Sequence, residues 1–294
     1  MPARGAGRVR LGESLRRLRR RARVVGGARR RSSAAVDVIS ADIRRAYDES
    51  AEAWAGGPAR VYAKLAEALV AAAPVALPGA RVLDVGVGTG VAGRAALAAG
   101  AARVVGVDVS AAMLADGRAT FDPVLGDAAA LPFRAASFDL VMAACCLSHL
   151  PDPQRALREA RRVATAIVAS AFTADWTHPA KAAADDALAA LGYRPPDWYV
   201  AFKATSERQL ADPATLSMLA RVAGYDNIQV QIVDVGTGID SPAAMIGWRL
   251  GMAHVAPFLA SLATEQQARA RRTAEDALVD APPLVVPLVI LAAS

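Results

Sequence analysis

Several residue types that define whole classes of proteins are scarce in this sequence of 294 residues. The two cysteines are adjacent, at Cys145 and Cys146, and sequence neighbours seldom satisfy the geometry of a disulfide. This excludes a secreted, disulfide-linked domain, and we expect a reducing, cytoplasmic location. Three scattered histidines beside those cysteines supply too few ligands for a metal site. No apolar run of the sequence reaches the roughly 18 residues of a membrane span, so none is expected.

Acidic residues are nearly missing from residues 1–33, which hold twelve arginines and one glutamate. That segment has a balance of +11, so the rest of the chain carries −5 within a net charge of +6. Few of its residues are large and apolar, and we predict a disordered basic tail. A basic arm can bind nucleic acid, so a nucleic-acid-associated protein stays open as an alternative. The absence of aromatics within the arm favours a solvated extension, or translated sequence upstream of the natural start.

The chain does have ample apolar content, at 54%, which is enough for the core of a large domain. Short apolar runs alternate with helical stretches, which predicts an α/β fold with a doubly wound, mostly parallel, Rossmann-like sheet and helices on both faces. The predicted strands lie near residues 80–85, 102–108, 122–125, 138–144 and 166–171, and the helices near 89–99, 110–118 and 153–164.

The rest of the chain is predicted to surround that sheet. Residues 34–78 form a helical lid, interrupted at a Gly-Gly-Pro sequence, and residues 79–294 form the main domain. An aromatic-rich insertion at about 172–225 is expected to contribute to a substrate pocket. Two further strands are predicted at 227–235 and 287–293, with two helices between them at 241–260 and 264–279. Pro287 fits only as the first residue of its strand, because an inner strand needs its N–H groups.

The most informative segment is residues 83–90, which read LDVGVGTG. Three glycines after an apolar strand predict a bend into a helix where bare backbone approaches a ligand, because glycine lacks a Cβ and tolerates positive φ. Asp84 lies in this strand, Asp108 ends the next, and Asp127 follows the third. The carboxyl ends of parallel strands share one crevice, so we expect the three carboxylates to converge. They suit the hydroxyls of a ribose and the amino group of an adenine.

A dinucleotide site is the competing interpretation of the same bend. Residues 88–93, GTGVAG, fit the GxGxxG pattern, and Asp108 lies about 20 residues further on. An NAD-dependent oxidoreductase therefore stays open as a second alternative. Against it, Asp84 and Gly86 precede the match, and Asp127 has no role in that pattern.

Four motifs in order carry a resemblance to a known family. They are residues 83–90, Asp108 with the following VSAAML, residues 126–133 (GDAAALPF) and residues 138–153 (FDLVMAACCLSHLPDP). The sequence resembles class I S-adenosylmethionine-dependent methyltransferases, and over residues 42–172 it is similar to the ubiquinone/menaquinone-biosynthesis (methyltransferase type 11) branch. The resemblance implies a seven-stranded sheet with an antiparallel C-terminal strand. It also implies methyl transfer from S-adenosylmethionine to an oxygen, nitrogen or carbon of a small metabolite, with release of S-adenosylhomocysteine.

The resemblance also implies a set of cofactor-binding residues. Tyr47 of the lid either closes over the methionine portion or packs as an ordinary tyrosine. The other expected contacts are with the methionine portion by Asp84, Gly86, Gly88, Gly90 and Ala144, with the ribose by Asp108, and with the adenine by Val109, Met113, Asp127 and Ala128.

His149 is the best candidate for a general base. It follows the fourth strand, at the expected mouth of the cleft, and the pKa range of histidine suits proton removal. A structural histidine that shapes the loop is the alternative. Trp176, His178 and Trp198 in the insertion are candidate substrate contacts and predict a pocket for an aromatic or prenyl-like molecule. We expect a small-molecule partner rather than nucleic acid, and either a monomer or a homodimer.

Overall fold

The computed structural model describes residues 34–117 and 121–294, so the predicted basic tail at residues 1–33 lies outside the described residues. The chain divides into two compact units, residues 1–37 and 38–294, and the architecture below is that of the second unit. Within the described ranges, no helix combines the length and the apolar character that crossing a membrane requires.

A mixed sheet of seven strands organises the second unit. In chain order the strands are β1 (Arg81–Val85), β2 (Arg103–Asp108), β3 (Asp122–Leu125), β4 (Phe138–Ala143), β5 (Ala164–Phe172), β6 (Ile228–Gly236) and β7 (Val285–Ala293). Their order across the sheet is β3-β2-β1-β4-β5-β7-β6. Strands β1 to β5 run parallel to one another, whereas β7 lies antiparallel between β5 and β6. The predicted doubly wound, Rossmann-like fold with an antiparallel C-terminal strand is confirmed.

Helices connect the strands and cover the sheet. The helix Pro153–Val163, α5, begins where its sequence predicts. The Asp152 carboxylate accepts a hydrogen bond from the Arg155 N–H at 2.9 Å, and Pro153 occupies the first turn. The described helices are α1 (Ala34–Gly56), α2 (Pro58–Ala71), α3 (Val91–Ala98), α4 (Ala111–Gly117), α5 (Pro153–Val163), α6 (Pro179–Ala189), α7 (Asp197–Ala204), α8 (Ser206–Ala211), α9 (Pro213–Ala223), α10 (Pro242–Leu250), α11 (Ala256–Ser261) and α12 (Thr264–Asp276).

The core lies on both faces of the sheet. Val82 and Leu140 belong to one buried cluster, which includes residues of α2 and α3. Leu83 and Val141, their neighbours along the strands, belong to a second cluster with residues of α5 and α9. Successive side chains of a strand point to opposite faces, so this division requires apolar residues at consecutive positions. The strand order reverses beside β1, which leaves a crevice at the carboxyl ends of β1 and β4.

The prediction for Pro287 was wrong, since it is the third residue of β7 and β7 is an inner strand. The Pro287 carbonyl accepts a hydrogen bond from the Thr173 N–H at 3.4 Å, just beyond the end of β5. The N–H and the carbonyl of a strand residue point to the same side. The missing N–H of Pro287 therefore faces the end of β5, and the ladder with β6 loses no hydrogen bond.

The helix predicted at residues 241–260 is instead two helices, because α10 ends at Leu250 and α11 begins at Ala256. Between them, a Cβ on Gly251 would lie 2.4 Å from Pro58 Cδ and 2.6 Å from the Ala53 carbonyl oxygen. The chain therefore packs here directly against the junction of α1 and α2. This contact places α1 and α2 against the segment between α10 and α11.

Candidate active site

The bend after β1 is built on glycines with positive φ, which is 69° at Gly86, 53° at Gly88 and 87° at Gly90. The Gly86 N–H donates to the Val107 carbonyl at 2.8 Å, which ties the bend to the end of β2. A Cβ on Gly86 would lie 2.4 Å from Cys146 Sγ, whereas a Cβ on Gly88 would meet nothing within 4 Å. Gly86 is therefore needed for close packing, and Gly88 presents bare backbone to open space, as a ligand-binding bend requires.

Asp84 lies on β1 before this bend and is completely buried. Neither carboxylate oxygen has a hydrogen-bond partner, although Oδ2 lies near the first turn of α3 at Gly93. Burial raises the pKa of Asp84 to about 7; the nearby Gly93 N–H opposes this shift and the charge of Asp108 adds to it. An unpartnered buried carboxylate favours a positive group nearby, which a cationic part of a ligand would supply.

Asp108 ends β2 and is held against the glycine bend. One carboxylate oxygen accepts from the Gly88 N–H at 2.8 Å, and the other accepts from the Ser110 N–H at 2.9 Å. Each oxygen of a carboxylate can accept a further hydrogen bond, so both can still receive a ligand hydroxyl. Burial raises the pKa of Asp108, and the charge of Asp48 adds to the shift.

The three predicted carboxylates lie in or just after neighbouring strands, because β1, β2 and β3 are adjacent and parallel in the sheet. Their carboxyl ends therefore share one edge of the sheet. The sulfur of Cys146, in the segment that follows β4, packs against Gly86 at the same edge. Burial raises the pKa of the Cys146 thiol, and the charges of Asp108, Asp84 and Asp127 add to the shift.

The other residues predicted to contact the cofactor lie at the same edge of the sheet and differ in exposure. Asp127 is exposed and accepts a hydrogen bond from the Ala129 N–H at 2.8 Å, so it does cap its own turn. Val109 and Met113 are both expected against the adenine, and Val109 is 40% exposed whereas Met113 is only 1% exposed. Val109 therefore offers the accessible surface. Ala128 is buried and Ala144 is half-buried.

Helix α1 contacts the end of β2 through Asp48, which belongs to no sequence motif. Its Oδ1 accepts from Ser110 Oγ at 2.6 Å and from the Ala112 N–H at 3.3 Å. Both donors lie directly after Asp108, at the beginning of α4. Helix α1 is thereby fastened over the end of β2. A single polar residue within a helix carries no local signal for such a contact.

Tyr47 of α1 meets His149, which follows β4. The Tyr47 hydroxyl lies 3.4 Å from His149 Nε2, while His149 Nδ1 is buried without a hydrogen-bond partner. His149 belongs to the 3₁₀ turn Leu147–His149 after β4. Burial lowers the pKa of His149 to about 4, so the imidazole is neutral at neutral pH and able to accept a proton. The same low pKa makes it a weaker base than an exposed imidazole.

Two rows of aromatic rings begin at Tyr47. The rows end at Trp248 and His254, which both lie in the segment 248–254. The first row consists of Tyr47, His149, Phe202, Tyr199 and His254, with successive ring centres 3.7–5.8 Å apart. The second row consists of Tyr47, Trp54, Tyr62, Phe172, Trp176 and Trp248, with successive ring centres 4.8–6.0 Å apart.

Three members of the aromatic rows keep accessible surface. Tyr47, Tyr62 and His149 are each half-buried. Burial raises the pKa of Tyr62. Aromatic side chains that keep accessible surface are suited to line a ligand pocket.

Of the predicted substrate contacts, Trp176 belongs to the second row and the other two residues do not belong to either. Both ring nitrogens of His178 are within 3.1 Å of backbone groups, one at the beginning of α6 and one before β7. His178 therefore caps a helix instead of facing the aromatic rows. Trp198 is buried in a small cluster with Ile43 and Ala46 of α1, and its ring has an edge contact with Tyr199 of the first row.

Comparison with known proteins decides between the two interpretations of the glycine bend. Residues 83–166, which run from within β1 into β5 and include the three carboxylates, match the family described as "Methyltransferase domain". This segment is therefore similar to a methyltransferase domain. The predicted resemblance is thereby confirmed for the part of the chain that carries the motifs.

The chain matches two curated relatives over stretches longer than residues 83–166. The chain is 37% identical over 141 residues to a demethylmenaquinone methyltransferase of Renibacterium salmoninarum, which covers 47% of this chain and 57% of the relative. It is 40% identical over 120 residues to a ubiquinone/menaquinone biosynthesis C-methyltransferase of Xanthomonas campestris, which covers 35% of this chain and 47% of the relative. The chain thus spans about half the length of these relatives.

Among solved structures, the chain is similar to a protein of Anabaena variabilis that is provisionally described as a methyltransferase from an antibiotic biosynthesis pathway. The TM-score is 0.53 at 14% identity, and the alignment covers 76% of this chain and 95% of the other. At this identity the likeness is one of fold.

Proposed function

We propose that this protein transfers a methyl group from S-adenosylmethionine to an oxygen, nitrogen or carbon of a small aromatic or apolar metabolite. The observation that carries the proposal is the edge of the sheet that Asp84, Asp108 and Asp127 share, beside a glycine bend that is open at Gly88. The names of the two curated relatives, which refer to quinone biosynthesis, support a small-molecule acceptor.

The crevice suits the parts of S-adenosylmethionine in turn. Asp108 would accept the ribose hydroxyls, with Val109 against the adenine. Asp127 and the backbone of Ala128 would read the adenine edge. The methionine portion, which carries a positive charge, would lie over the bend, near the unpartnered Asp84 carboxylate. The groups around it would be the backbone of Gly86, Gly88, Gly90 and Ala144, with Tyr47 above.

Bound S-adenosylmethionine supplies a methyl group on a sulfonium, and its transfer disperses charge, so no oxyanion hole is needed. The protein contributes alignment and exclusion of water, of which alignment alone can be worth several kcal/mol. The aromatic rows would hold the acceptor ring, and the hydrogen bonds of Asp48 would keep the lid closed. Where the acceptor atom carries a proton, the neutral His149 would remove it.

Calorimetry on the purified chain tests the proposal first. We expect micromolar binding of S-adenosylhomocysteine and no binding of NAD. Incubation with S-adenosylmethionine and a metabolite extract of the host should then yield a product heavier by one methyl group. Binding of NAD without S-adenosylhomocysteine would refute the proposal.

A further inference from the structure

We propose that the far end of the aromatic rows binds a carboxylate of the acceptor through the ammonium of Lys181, which makes the substrate an aromatic acid. This inference rests on the proposed methyl transfer and adds the chemical class of its acceptor.

Lys181 lies in α6, at the end of the second aromatic row. Its Nζ is 4.8 Å from the centre of the Trp176 ring and donates to the Trp176 carbonyl at 2.7 Å. An ammonium has three protons, so a single carbonyl leaves two for a ligand. A cation over an indole face is also well placed to meet the edge substituent of a ring that lies between the aromatic rows.

Lys181 is the surplus cation in a group of five charged side chains. Arg249 is 5% exposed and pairs with both oxygens of Asp185, at 2.8 and 3.0 Å. Lys203 pairs with the buried Glu207. These two pairs are neutral, so the remaining +1 charge belongs to Lys181. Burial lowers the pKa of Lys181 to about 8, with the charges of Lys203 and Arg249 adding to the shift, so it stays protonated at neutral pH.

Two buried ring nitrogens at the ends of the aromatic rows also lack partners. Trp248 ends the second row and His254 ends the first, and they are 3% and 5% exposed. Neither Trp248 Nε1 nor His254 Nε2 makes a hydrogen bond. An indole N–H can only donate, and a buried donor without an acceptor is destabilising. An oxygen of a carboxylate placed here would accept from the Trp248 N–H as well as from Lys181.

This arrangement orients the acceptor. With the acceptor's carboxylate at Lys181, its aromatic ring would extend between the rows toward Tyr47 and His149. The rows begin there, near the crevice that would hold the cofactor. The reacting atom would therefore be on the part of the ring remote from the carboxylate.

The test uses 2-naphthoate and its uncharged amide, 2-naphthamide, as probes, with the full chain saturated by S-adenosylhomocysteine. Binding is followed by quenching of tryptophan fluorescence and by calorimetry. We expect the naphthoate to bind at least about tenfold more tightly than the amide, because a charge-assisted hydrogen bond exceeds a neutral one. In Lys181→Met, which keeps the apolar stem, the preference should fall to within threefold. The matched control is Lys64→Met, an exposed lysine of α2 paired with Glu67, and it should keep the preference.

Equal binding of the two probes to the natural chain would overturn the inference, as would an unchanged preference in Lys181→Met or the failure of both probes to bind. Each variant is also titrated with S-adenosylhomocysteine alone. If the natural chain does not bind S-adenosylhomocysteine, the proposed methyl transfer itself is refuted. Normal binding without a preference for the naphthoate would refute only the inference about the acceptor.

Discussion

Alanine at Gly86 and at Gly88 should separate the packing of the glycine bend from its binding role. Both residues have positive φ, which costs an L-residue such as alanine about 1–2 kcal/mol. Only at Gly86 does the new Cβ collide, at 2.4 Å from Cys146 Sγ and 2.7 Å from Cys146 Cβ. Overpacking typically adds about 1–3 kcal/mol.

We therefore expect Gly86→Ala to lower the free energy of unfolding by about 2–5 kcal/mol, and Gly88→Ala by about 1–2 kcal/mol. Equilibrium unfolding in urea measures both values. The added methyl of Gly88→Ala projects into open space, where the ligand is proposed to lie. The affinity of Gly88→Ala for S-adenosylhomocysteine, measured by calorimetry, should fall at least about tenfold, because the added methyl group would prevent the ligand from approaching the backbone closely.

A double variant makes the packing argument sharper. Cys146→Ala removes the sulfur but keeps the Cβ, so it should recover part of the stability lost in Gly86→Ala. Equal destabilisation by the two glycine substitutions would show that Cys146 does not press on Gly86. Undiminished ligand affinity in Gly88→Ala would place the ligand elsewhere.

Three further outcomes are expected. Asp108→Ala should weaken S-adenosylhomocysteine binding at least about tenfold through the loss of two charge-assisted hydrogen bonds, while the exposed Asp276→Ala leaves it unchanged by calorimetry. His149→Ala should slow methylation about 100-fold in a turnover assay if His149 removes a proton, and a rate within threefold would make it scaffolding. The pKa of His149 is about 4 in the folded protein against an ordinary 6.5. The unfolded chain thus binds the extra proton, and stability should fall by up to about 3 kcal/mol as pH drops from 6.5 to 4, with a smaller fall in His149→Ala in urea unfolding.

Much of the arrangement of the three carboxylates and the glycine bend was predictable, because it depends on local sequence. Asp84, Asp108 and Asp127 each follow or lie in an apolar strand, and parallel strands bring such positions to one edge. The glycines at 86, 88 and 90 all adopt the positive φ that their spacing suggests. Met113 shows the limit of a motif, because its place in the pattern is kept while its side chain is buried.

The surroundings proposed for the acceptor were less predictable, because they depend on contacts between segments that are distant in the sequence. His178 was expected to face a substrate, but neighbouring backbone groups occupy both its nitrogens. Asp48 carries no motif, and its contact with Ser110 exists only because α1 lies over β2. The break at Gly251 likewise follows from the close approach of the chain to Ala53 and Pro58.

The sequence by itself determined the alternation of strands and helices, the glycine bend and the order of the carboxylates, since each depends on residues close together in the chain. Only the tertiary structure decided which aromatic rings meet, which of five charged groups is left out of an ion pair, and which buried ring nitrogens make no hydrogen bond. Those properties arise from segments as far apart as Tyr47 and His254, and no local pattern specifies how such segments pack.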